Sequence, residues 1–142
     1  MTPHENDLVT LYHNPRCTKS RQALEIAQEP AAVAAFDLTV VKYLDNPPSV
    51  DELRAIVARL EDEPSKLVRR DNWSELGITA DDVATPDGVV GVLTRHPELM
   101  ERPVIVTANR AFIGRPTERV SEFFAQRDDS GTAARRRASE RP

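Results

Sequence analysis

The period of apolar and polar positions changes several times along the chain, and those changes mark out its elements. Residues 8–12 run Leu, Val, Thr, Leu, Tyr, which predicts a first strand. Asn14-Pro15 is a turn signal that stops it. From Thr18 the apolar positions recur at helical intervals (Ala23, Leu24, Ile26, Ala27), with Thr18 the expected N-cap. Pro30 ends or kinks that helix. Ala31 to Ala35 is an alanine-rich connector with room for an extra helical turn. Phe36 to Tyr43 predicts a second strand, broken by Asn46-Pro47-Pro48. Ser49 with Glu52 forms a capping box, ahead of a helix that places Leu53, Ile56, Val57 and Leu60 on one face.

The middle of the chain predicts irregular helical pieces: a short helix from Pro64 to Arg70 carrying Arg69 and Arg70, then a turn and a brief helical piece over Asp71 to Gly77. Asp87 is the candidate cap of a helix through Val89, Val90, Val92 and Leu93, which stops at His96-Pro97. Pro103 to Thr107 and Ala111 to Ile113 predict two short strands. The hairpin turn Ala108-Asn109-Arg110 joins them, with Asn109 placed for the left-handed conformation. Pro116 opens a last helix at its first position, with Val120, Phe123 and Phe124 inward. Strand, helix, strand, helix at the start argues an α/β fold with a parallel pair and a right-handed crossover.

Length and composition narrow this further. With 142 residues and no repeat or linker, the chain reads as one domain over 8–126. A polar extension (1–7) precedes it, and a basic, expectedly disordered tail (127–142) follows. The net charge of −4 argues against nucleic acid as a partner. No run approaches the ~20 apolar residues of a membrane span. The single cysteine allows no internal disulfide and no metal-ligand cluster, so no metal is expected. With no apolar signal core at the start and an unpaired thiol, a reducing cytoplasm is the expected location.

The chemistry centres on that cysteine, Cys17, in the polar turn His13-Asn14-Pro15-Arg16-Cys17-Thr18-Lys19-Ser20-Arg21. A thiol reacts as thiolate, and a free cysteine of pKa ~8.5 is only about 3% ionised at pH 7. Raising that to about 75% takes a two-unit depression, or ~2.7 kcal/mol in favour of the anion. A helix N-terminus supplies roughly 0.3–1 kcal/mol, up to ~2 in a partly buried site. Other donors and cations must therefore contribute. Ser20, three residues on, can turn its hydroxyl toward the sulfur, and His13 would help if protonated. His13, Arg16, Lys19 and Ser20 are the local candidates. The alternatives are a small buried cysteine and a histidine that merely bonds its own turn.

Arginine is the second signal. Arg69 ends a predicted helix, while Arg102 and Arg115 each precede a proline. A residue before proline is pushed toward extended backbone, and a guanidinium suits bidentate capture of a tetrahedral oxyanion. Spacing alone does not make these three converge; taken singly, each reads more readily as a solvated surface residue than as a ligand.

The cysteine turn resembles the signature of the glutaredoxin-linked arsenate reductase family. So do Tyr43-Leu44-Asp45-Asn46-Pro47-Pro48-Ser49, Leu67-Val68-Arg69-Arg70, His96 to Pro103 and Gly114-Arg115-Pro116, in the same order along residues 8–126. The resemblance implies a thioredoxin-like α/β fold: a mixed sheet of about four strands, flanking helices and an inserted helical region near 64–100. It also implies a cis peptide at Arg102-Pro103. It makes Cys17 the nucleophile, with His13 and Ser20 lowering its pKa, and Arg69, Arg102 and Arg115 the anion-binding groups. The implied activity is reduction of arsenate to arsenite, as in arsenic resistance. No bound cofactor is implied; glutathione or another low-molecular-weight thiol is the co-substrate and glutaredoxin the partner. Two other readings stay open. One is a glutaredoxin-like thiol transferase, which needs no arginine trio. The other is a regulator of the related RNA-polymerase-binding kind, although those carry Cys-x-x-Cys where this chain has Cys17-Thr18-Lys19-Ser20.

Overall fold

In a computed structural model, which describes residues 7–125, four strands form one mixed sheet. Strand β1 (Leu8–His13) leads into helix α1 (Thr18–Ala27), a short α2 (Pro30–Ala35) and β2 (Asp37–Lys42). β2 lies parallel to β1, with Leu8 opposite Asp37 and His13 opposite Lys42. Helix α3 (Val50–Arg59) follows, then α4 (Trp73–Leu76) and α5 (Pro86–Arg95) among 3-10 turns at Pro64–Leu67, Ala80–Val83 and Pro97–Leu99. The antiparallel pair β3 (Val104–Val106) and β4 (Ala111–Ile113) completes the sheet in the order β2-β1-β3-β4. The chain is then helical over 118–125 (α6).

The two-residue period of the strands divides the core between two faces. Val9, Leu11, Ile105 and Phe112 point to one face and pack with Ala23, Ala27, Phe36, Val120, Phe123 and Phe124. Tyr12, Val104, Ala111 and Ile113 point to the other, against α3, α5 and the inserted segment. Central β3 is covered on both faces, which is why its sequence is an unbroken Val-Ile-Val rather than an alternation. Among the described residues, no helix is long and apolar enough to cross a membrane.

Several local expectations are corrected. The N-cap of α1 is Cys17 itself, not Thr18, which is the first helical residue. The connector at Ala31–Ala35 takes the extra helical turn expected of it, but Phe36 belongs to its end rather than to the strand. Thr85, not Asp87, caps α5, accepting from the Gly88 N–H at 3.1 Å. Asn109 is not left-handed; the Thr107 hydroxyl accepts from the Asn109 and Arg110 amides and closes the hairpin instead. Among the described residues, the non-glycine residue that does take positive φ is Asn72, at 58°. Pro116 lies two residues ahead of the helical stretch rather than at its first position.

The correction that matters most concerns Pro64–Arg70. Only Pro64–Leu67 is helical, and as a 3-10 turn. Val68 then pairs antiparallel with Met100, while the Arg69 N–H donates to Leu99 O and the Glu101 N–H to Leu67 O, both at 2.7 Å. Leu67, Val68, Leu99 and Met100 are all buried, so side-chain packing holds the two segments together. The pairing sets Arg69 beside Glu101. Residues 1–6 of the polar extension (1–7) and the whole basic tail (127–142) lie outside the described residues.

Candidate active site

The turn after β1 is tied by short-range bonds. The Cys17 N–H donates to Asn14 O at 3.0 Å, and the Arg16 N–H to Asn14 Oδ1 at 2.9 Å. Ser20 is fully buried in α1, and its Oγ accepts from the Asn14 N–H at 2.9 Å. The same oxygen lies 2.7 Å from His13 Nδ1. Oγ can donate its own proton to Nδ1 while it accepts from Asn14, an arrangement that suits a neutral His13 with hydrogen on Nε2. Burial lowers the pKa of His13, helped by the nearby charge of Lys42, while a main-chain hydrogen bond at Ser20 opposes them. His13 therefore does not act as a cation here. It holds Ser20, and Ser20 holds the turn.

Cys17 is half-buried at the head of α1, with φ −96° and ψ 125°. No side-chain hydrogen bond of ordinary length caps the helix, and the sulfur faces its open amides. Desolvation is the largest influence on this thiol and pushes its pKa up. The Ser20 N–H, the Arg102 guanidinium, the Lys19 N–H and the charge of Arg115 together outweigh it, so the pKa is lowered. Ser20 thus serves the sulfur through its main-chain N–H, while its hydroxyl is turned to His13 and Asn14.

Two of the three expected arginines reach the thiol directly. Arg115 Nη2 donates to Cys17 Sγ at 3.3 Å, and Arg115 Nε donates to Arg102 O at 2.8 Å. Arg102 bonds the sulfur and also Tyr43, whose hydroxyl donates to Met100 O at 3.4 Å. The Arg102 Nε is buried and has no hydrogen-bond partner. Burial first of all keeps the Tyr43 pKa high, with Arg102 and Asn14 working against it, so the phenol stays a donor at neutral pH. Arg69 joins the group through Glu101 rather than through the sulfur: its Nη1 lies 2.9 Å from Glu101 Oε1 and its Nε 2.9 Å from Asp71 Oδ2. Trp73 steadies that backbone by donating to Arg69 O at 2.7 Å.

The loops that carry the arginines meet because of one glycine. A Cβ at Gly114 would come within 2.8 Å of Pro103 Cγ and of Val120 Cγ2, so only glycine lets the end of β4 lie on Pro103. Arg102-Pro103 is cis, as expected, and Arg115-Pro116 is cis as well. Sequence reasoning missed Glu101, Tyr43 and Asp71 as members of the cluster. The signal for Glu101 was its place directly before Arg102 in a region already rich in arginine.

A mixed sheet of this order, with a single cysteine at the head of the helix after β1, defines a thioredoxin-like protein. The chain belongs to the ArsC family, which it matches over residues 12–123. It is 36% identical to an arsenate reductase of Neisseria meningitidis over 79% of this chain and 94% of that protein. It is 35% identical to the uncharacterized protein YfgD of Escherichia coli K12, over 81% and 95%. A solved arsenate reductase from Vibrio cholerae superposes with a TM-score of 0.65 at 33% identity, covering 81% of this chain and 96% of that one.

Proposed function

We propose that the protein reduces arsenate to arsenite, with Cys17 as the attacking sulfur and Arg102 and Arg115, joined by Arg69, as the anion-binding groups. The observation that carries this reading is the contact of Arg115 Nη2 with Cys17 Sγ at 3.3 Å, beside an Arg102 whose Nε has no partner. Cations that favour the thiolate also lie where a tetrahedral oxyanion would sit, next to the open amides of α1. The relatives named arsenate reductases support the substrate.

Thiolate Cys17 attacks arsenic, forming an S–As bond, and one arsenate oxygen leaves as water after protonation. With one cysteine in the chain, no second protein thiol can resolve the adduct. Glutathione condenses on arsenic with loss of a second water. A glutaredoxin thiolate then takes the glutathione sulfur as a mixed disulfide. The As–S electron pair remains on arsenic, which passes from As(V) to As(III). Hydrolysis releases arsenite and frees Cys17. Another low-molecular-weight thiol could take glutathione's place, and such chemistry belongs in a reducing cytoplasm.

The test is arsenate-dependent NADPH oxidation in a coupled system of glutathione, glutaredoxin and glutathione reductase. Turnover is expected with the wild type, and a loss of at least about a thousandfold in Cys17→Ser. Equal rates in the two proteins would sink the proposal.

A further inference from the structure

Glu101 has no role in the scheme above, yet one of its oxygens touches all three arginines. Oε1 accepts from Arg69 Nη1 at 2.9 Å and from the Arg102 main-chain N–H at 3.1 Å, and lies 3.4 Å from Arg115 Nε. The carboxylate is mostly covered, with 20% of its side chain exposed. Its own backbone is fixed, since the Glu101 N–H donates to Leu67 O and the preceding Met100 is fully buried. Arg115 has two fixed points on its inner edge, Glu101 Oε1 and Arg102 O, and both act on Nε. With Nε held there, Nη2 reaches outward to Cys17 Sγ at 3.3 Å.

We propose that Glu101 is a positioning residue that orients the arginine cluster, so that Arg115 meets the sulfur and Arg69 stands beside it. The proposal rests on the reading of Cys17 as the attacking sulfur. It also makes a prediction that charge alone reverses. Glu101 is negative and close to the site, so by charge it opposes ionisation of Cys17. By geometry it favours ionisation, because it aims a cation at the thiolate. Among the described residues, Arg69 and Arg115 face Glu101, with Asp71 sharing Arg69, while Arg102, Arg115 and the protonated Tyr43 face Cys17.

Two conservative variants of the full chain separate the effects. Glu101→Asp keeps the charge and withdraws the oxygen by one methylene. Glu101→Gln removes the charge and keeps an acceptor at the same reach. The ionisation midpoint of Cys17 is read from the pH dependence of alkylation by iodoacetamide, and KM and kcat for arsenate from the coupled assay. Positioning predicts that Glu101→Asp raises the thiol midpoint by about one unit and KM by about tenfold, while Glu101→Gln leaves the midpoint at or below that of the wild type. A Glu101→Asp midpoint equal to the wild type, or a Glu101→Gln midpoint raised as far as that of Glu101→Asp, would overturn the role. The titration uses no arsenate. If the wild type fails to turn arsenate over, the proposed reaction falls while the alkylation result still decides Glu101.

Discussion

Among the described residues, two clusters of arginine and carboxylate differ in what their guanidinium groups face. At the β4 edge, Arg119 Nη1 binds Asp62 Oδ1 at 2.7 Å and Ile113 O at 2.9 Å, with its guanidinium over the Phe112 ring. Arg110 binds Glu61 at 2.7 Å and lies over Phe112 and Phe123. Even the buried Arg110 Nε that lacks a hydrogen bond belongs to a guanidinium covered by aromatic faces. Asp62 also accepts from the Ile113 N–H at 2.9 Å, so this cluster ties the strand edge to α6. Around Cys17 the acids Glu101 and Asp71 hold Arg69 and Arg115 from behind, and the remaining donors converge on a sulfur. The same residue types brace the fold where every charge is met, and form a site where positive charge is left over.

Substitutions should separate the clusters. The largest contrast is expected between Arg115→Ala and Arg119→Ala. Loss of Arg115 removes a donor from the developing anion, so kcat/KM for arsenate should fall by about 10²–10³ with little change in thermal stability. Loss of Arg119 leaves Asp62 mostly covered and short of its cation, which should cost about 1–3 kcal/mol in denaturant unfolding while folded protein retains turnover. If Arg119→Ala abolishes turnover in fully folded protein, the division is wrong.

pH dependence sharpens the same contrast. The Cys17 pKa is lowered, so thiolate is present below the ordinary thiol value and disappears only as pH falls through the folded midpoint. Alkylation of the wild type should therefore stay fast below pH of about 8.5, while Arg115→Ala should lose rate at higher pH, its midpoint raised by about one unit. Arg119→Ala should titrate as the wild type does. Alkylation profiles of the three proteins that coincide would count against Arg115 as a stabiliser of the thiolate.

The smallest effect is expected from Ser20→Ala. Its hydroxyl serves His13 and the Asn14 N–H, whereas its main-chain N–H serves the sulfur. The variant should lose about 1–3 kcal/mol of stability from the orphaned Asn14 amide, with a midpoint shift smaller than that of Arg115→Ala. A shift as large as that of Arg115→Ala would return the hydroxyl to the role that its place three residues after Cys17 first suggested.

Much of the scaffold could be read from the chain. The capping box at Ser49 and Glu52 is present in full, because it depends on groups three residues apart. The strand at Val104–Val106 and the inward Val120, Phe123 and Phe124 likewise follow from local pattern. Local pattern failed where distant segments supply the partner. The segment after Leu67 reads as helix by composition but is extended, since Val68 finds Met100 across the fold. His13 reads as a possible cation, but tertiary burial and Lys42 on the neighbouring strand keep it neutral.

The sequence by itself determined where the thiol stands, at the end of an apolar strand and the start of a helix, because strand period, turn and helix period succeed one another within twenty residues. Only the tertiary structure decided what surrounds it. Arg102 and Arg115 reach Cys17 across the antiparallel β3–β4 pair and the close contact of Gly114 with Pro103, and Arg69 arrives through a pairing with the segment before Arg102. A one-dimensional pattern records which face a side chain turns to, not which distant charges share it. The field at one sulfur is a sum over groups that only folding brings within a few ångströms.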